Sequence, residues 1–182
     1  MQQGDRESEK PVASLNLTDP KNARIIESWS ALIVLLIVIP FCFLLSALGY
    51  SGYWMYVVVI LLIPGTFLHE IIHYLFLWLF SGLKPLLGFK FPFPYSALAP
   101  GARITRNQMI FCALAPLIFM TLILVLSSLF MSPLPKVIFL AWASVHVASC
   151  FGDFFLIFWL LRYPRQLKVG NVNLSNTLFE DV

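Results

Sequence analysis

Four long apolar runs dominate this chain of 182 residues and limit what it can fold into. Crossing about 30 Å of hydrocarbon takes roughly 20 consecutive apolar residues in a helix. Four segments are long enough: 29–49 with Pro40 inside it, 54–80, 107–130 and 137–161. Only 12% of the residues are charged, about half the usual share of a soluble domain. The fold expected from these runs is an all-α membrane protein of about four transmembrane helices. It divides into a polar N-terminal tail (1–28), a four-span domain (29–162) and a C-terminal tail (163–182). The first 28 residues are too long and too acidic for a secretory leader, and residues 1 to about 15 read as disordered.

The ends of the third and second runs carry local signals. Thr105 with Gln108 three residues on forms a capping box at the start of the third. Gly82 suits the C-terminal cap of the second. Pro64 and Pro116, inside the second and third runs, are kink candidates. Between these two runs lies SGLKPLLGFKFPFPYSALAPGARITRN, which is apolar, aromatic and rich in proline. It cannot be helical through FPFPY. It reads either as an interfacial loop with aromatic anchors or as an extended segment beside a site, able to pair with an extended peptide.

Sidedness follows from the basic residues. Arg6, Lys10, Lys21 and Arg24 lie in the N-terminal tail, and Lys84, Lys90, Arg103 and Arg106 in the central loop. Arg162, Arg165 and Lys168 follow the fourth run, leaving only Lys136 between runs three and four. The positive-inside rule makes the side with eleven of the twelve cytoplasmic, with both termini there. An even number of spans agrees. The lipid bilayer is thus an expected partner and nucleic acid is not.

Within the spans the ionisable residues are few: His69, Glu70, His73, His146 and Asp153. A charge at mid-membrane costs roughly 2.5–3.5 kcal/mol even on the lenient insertion scale. Three of the five fall in HEIIH, residues 69–73. Histidines at i and i+4 share one helix face and can hold one zinc ion, and the intervening glutamate can activate a water. A catalytic zinc takes a third protein ligand and keeps an open position. His146, Cys150 and Asp153, at i, i+4 and i+7 of the fourth run, share a face and are the candidates. Depth favours Asp153. It lies about 24 Å from the start of its span, against about 25 Å for the centre of HEIIH, whereas His146 sits some 10 Å nearer the outer surface. His146 stays open as a ligand, as a hydrogen-bonding group behind the ligands, or as a contact to substrate. Gly152 would allow close helix approach, and Cys42 and Cys112 read as packing thiols.

HExxH in one span, ALAP in the next and FGD in the last together resemble the site-2 protease group of intramembrane zinc metalloproteases. The pattern is closer still to a family of small zincin peptidases of bacterial and archaeal membranes. The resemblance spans residues 55 to 162. It implies His69, His73 and Asp153 as zinc ligands and Glu70 as general base, acting on a membrane protein or peptide. The chain departs from the group at HVASCFGDF, which lacks the Asn, the Pro and the Gly of the NPxxxxLDG-like signature. Two other functions fit the composition: a non-catalytic metal-binding sensor or scaffold, with the site closed by Cys150 or His146, and a metal transporter. A transporter needs a polar path, yet the outer halves of spans two and three hold almost no ionisable groups.

Overall fold

A computed structural model of the chain describes residues 9–17, 19–47, 49, 53–90, 93–172 and 175–181. Five helices carry the apolar runs: α1 (Pro20–Ala47), α2 (Tyr53–Ser81), α3 (Arg106–Leu129), α4 (Pro133–Ser149) and α5 (Phe151–Leu160). Among the described residues, three stretches are long and apolar enough to cross a membrane: Pro20–Phe41, Arg106–Leu129 and the α4–α5 pair, Pro133–Leu160. At 29 residues, α2 is about 43 Å long. Thr105 and Gln108 do form a reciprocal capping box on α3. Gly82 takes φ +66° after α2, its N–H returning to the Trp78 carbonyl. That left-handed conformation favours glycine.

The all-α expectation is wrong. Six strands form two antiparallel sheets among the described residues: β1 (Glu9–Leu15), β2 (Leu86–Lys90), β3 (Phe93–Ala97), β4 (Ile104–Thr105), β5 (Lys168–Val172) and β6 (Ser175–Asp181). One sheet has the order β1-β6-β5-β4 and the other is the hairpin β2-β3. The stretch 9–15, expected to be disordered, pairs along β6 from Glu9↔Asp181 to Leu15↔Asn176. Residues 1–8 lie outside the described residues, as does the side chain of Cys42. The two stretches read as tails therefore hold strands, and α1 begins at Pro20, well before its apolar run.

The sheet survives because one of its faces is covered. Val169 and Leu178 are cross-strand partners and both are wholly buried. With Leu15 and Ile104 they pack on Leu77 of α2, Met109 and Cys112 of α3, and Leu156 and Leu160 of α5. A fully buried aliphatic side chain contributes about 1.5–3 kcal/mol, so this junction is where sheet and bundle stabilise each other. Arg106, buried at the start of α3, donates to the Tyr163 carbonyl beyond α5 and ties the two helix ends together. The second core layer, Met120, Leu124 and Ala143 with Ile72 and Trp142, holds α3, α4 and α2 together at the level of the polar cluster.

Two further expectations change in detail. The fourth run is broken at Cys150, where α4 ends and α5 begins. Cys150 N–H is shared between the His146 and Val147 carbonyls, while Ser149 Oγ donates to the His146 carbonyl at 2.8 Å. Gly152 is not demanded by space: an added Cβ would sit 3.6 Å from Ile26, an ordinary contact. Of the two glycines within the described helices the tight one is Gly65, where a Cβ would come within 2.9 Å of the Trp142 indole nitrogen. That approach brings α2 against α4.

Candidate metal centre

One turn of α2 supplies His69, Glu70 and His73, and α5 supplies Asp153 from its first turn. The close approach at Gly65 sets α2 against α4, and α5 follows α4 directly after Cys150. His69 Nε2 lies 3.0 Å from His73 Nε2. Asp153 Oδ1 is 3.1 Å from His73 Nε2, and Oδ2 is 3.3 Å from His69 Nε2. The three side chains are only 12–17% exposed. Asp153 makes no pair with Arg162 or Arg165; it faces the histidines.

The proton positions around this triangle can be worked out. His73 Nδ1 is 2.9 Å from the Cys112 carbonyl, which only accepts, so Nδ1 carries the hydrogen. In neutral His73 the Nε2 lone pair then faces His69 and Asp153. Asp153 Oδ2 is buried with no hydrogen-bond partner. With the His69 hydrogen on Nδ1, lone pairs of three side chains converge on one point, which is unfavourable unless a cation sits among them. Zinc bound at about 2.0–2.1 Å in tetrahedral geometry would separate its ligand atoms by about 3.3 Å. The observed 3.0, 3.1 and 3.3 Å lie close to that, so the residues fit the ion.

Behind the triangle lies a second layer. His146 is 4% exposed, its Nε2 3.2 Å from His69 Nδ1 and its Nδ1 3.3 Å from Thr121 Oγ1. Cys150 Sγ approaches the same Nε2 at 3.8 Å. If His69 uses Nε2 toward the centre, its Nδ1–H donates to His146 Nε2, and His146 Nδ1–H donates to Thr121. Both His146 nitrogens are then engaged, leaving none for a substrate. Glu70, which offers an oxygen within 4.8 Å of the two α2 histidines, accepts from Ser96 Oγ of β3 at 2.8 Å. Phe89 of β2 stacks on Phe67 of α2, with ring centroids 6.3 Å apart. The proline-rich segment is thus a hairpin resting on α2 beside the glutamate; Phe91 and Pro92 at its tip lie outside the described residues.

A family described as "Putative zincin peptidase" matches residues 62–168, which hold HEIIH, the hairpin and Asp153. The chain belongs to that family. A zincin peptidase is a zinc-dependent metallopeptidase, so the family supplies the metal and the reaction class to which the convergent histidines correspond. No curated protein and no solved structure matches the chain.

Three contributors were missed from sequence. Thr121 was signalled, as the one hydroxyl in LIFMTLILVL. The Cys112 carbonyl was signalled less directly, by a proline four residues later. Ser96 had no signal, because its place beside Glu70 depends on the hairpin register.

Proposed function

We propose that this zincin peptidase hydrolyses peptide bonds of membrane-associated substrates, close to the cytoplasmic side of a cell membrane. The supporting observation is the convergence of His69, His73 and Asp153 within 3.0–3.3 Å, with Glu70 adjoining, inside helices otherwise built of Leu, Ile and Phe. His69, His73 and Asp153 would hold zinc, and the ion would supply a Lewis acid that polarises the scissile carbonyl and acidifies the attacking water.

The chain's own groups do the rest. Glu70 has one carboxylate oxygen held by Ser96, which leaves the other free as a base. It takes a proton from the water as oxygen bonds to the carbonyl carbon, and returns it to the amide nitrogen as the C–N bond breaks. A helical substrate hides its carbonyls, so it must unwind before attack. The two-stranded hairpin pairs with no further strand among the described residues, and we assign it the role of receiving the unwound segment as an added strand. The clustering of Lys and Arg at the sheet end supports a cytoplasmic position for that end and both termini.

Metal content and proteolysis of detergent-purified protein test this proposal together. Wild type and Glu70→Gln should each carry about one zinc per chain, and Asp153→Ala should lose it. Glu70→Gln should lower turnover of a transmembrane peptide by about 10²–10⁴-fold. Zinc-free wild type after metal-replete purification would sink the proposal. A second reading, a closed non-catalytic site on His69, His146 and Cys150, is favoured by their ligand atoms lying within 4.8 Å of one another. It predicts a thiolate–metal charge-transfer band in the cobalt-substituted protein.

A further inference from the structure

The two histidines of the motif are held differently from behind, and the hold on His73 comes from α3. Its Nδ1–H donates at 2.9 Å to the main-chain carbonyl of Cys112. Inside a helix a carbonyl is ordinarily taken by the N–H four residues on. Four residues after Cys112 stands Pro116, inside α3 and fully buried, and proline has no N–H. The acceptor that fixes His73 therefore exists because residue 116 is a proline.

We propose that Pro116 is a positioning residue for the metal centre. By leaving the Cys112 carbonyl without its helical partner, it selects the His73 tautomer whose Nε2 lone pair faces His69 and Asp153. This rests on the metallopeptidase reading for its purpose, though not for its geometry. Two features of α3 support it over an ordinary kink. Pro116 is packed where solvent cannot reach the freed carbonyl, so the carbonyl needs a donor from within the protein. Cys112 itself is 1% exposed, and the donor it has found is the imidazole of His73. An interior proline weakens a helix, and here it is tolerated at a position where its missing N–H has a use. Outer hydrogen bonds of this kind orient metal-ligating histidines, and their loss commonly weakens metal binding by about 10–100-fold.

The test compares two replacements at position 116 in the full-length protein in detergent. Pro116→Ala restores an N–H that can take the Cys112 carbonyl. Replacing Pro116 by the α-hydroxy acid analogue of alanine gives an ester, which removes the ring but still offers no N–H. Cobalt affinity, measured by chelator competition, should fall about 10–100-fold in Pro116→Ala and stay within a few fold of wild type in the ester. The visible spectrum of bound cobalt should show the same ligand set throughout. In the metal-free protein, at a pH high enough to keep the ring neutral, ¹⁵N shifts of the His73 ring should report Nδ1–H in wild type and ester, and a mixture of tautomers in Pro116→Ala. Equal affinities and equal shifts in all three proteins would overturn the proposal. So would equal weakening by both replacements, which would point to ring packing alone. Wild type that binds no cobalt yet shows the tautomer change would support this device and defeat only the metallopeptidase reading.

Discussion

At the scale of single residues the site is built from pairs that must agree on where a proton sits. His146 is the case with the sharpest consequence, because its Nε2 can accept from His69 only if its own hydrogen is on Nδ1, facing Thr121. Replacing it with alanine should weaken zinc binding about 10–100-fold while leaving one zinc per chain at saturation. Glutamine, which keeps an acceptor oxygen, should recover part of that loss. Chelator competition reads both. Loss of stoichiometric binding in His146→Ala would instead make it a ligand. Much of this scale was legible in the sequence, since ionisable residues in an apolar run stand out by their cost. The Cys112 carbonyl stood out less, because Pro116 marks it as free while only the fold shows that His73 reaches it.

At the scale of elements, α2 and the hairpin act together. Ser96 donates to Glu70, and Phe89 stacks on Phe67 two residues before the motif, so the hairpin lies beside the proposed base. Ser96→Ala should leave zinc content unchanged and lower kcat by roughly tenfold with little change in KM, as expected when an interaction with the reacting base is lost. Replacing FPFPY with Gly-Ser should raise KM for a membrane substrate. Unchanged turnover in that variant would remove the hairpin from substrate binding. The helices were legible because a span has to be about 20 residues of one character. The strands were not. Each has seven residues or fewer, and β1, EKPVASL, shows only a short alternation that becomes meaningful once β6, some 160 residues later, lies beside it. Proline in β2–β3 excluded a helix but did not choose a register.

At the scale of the whole molecule, the sheet constrains how the chain can cross a membrane. β1 precedes α1 and pairs with β6, the last strand, so both ends of the described chain lie together in the sheet. β4 leads into α3, and β5 follows α5; they too are paired. On the proposed membrane reading, α3 and α4–α5 would leave and return together, as would α1 and α2, which would make the number of crossings even for a reason independent of charge. Lys10 and Glu180 are direct partners in the β1–β6 ladder. Opposed Cα atoms in an antiparallel pair are about 4.5–5.5 Å apart, within the reach of a disulfide. Lys10→Cys with Glu180→Cys should thus cross-link under mild oxidation in membranes and shift mobility on a non-reducing gel, while either single variant should not. Before oxidation, both positions should react with an impermeant thiol reagent only from the face opposite to that which labels Lys136→Cys. Labelling of all three positions from one face would break the even-crossing arrangement. Failure of the double variant to cross-link, with both cysteines accessible, would remove β1 from the sheet and return residues 9–15 to the unpaired tail that their composition suggests.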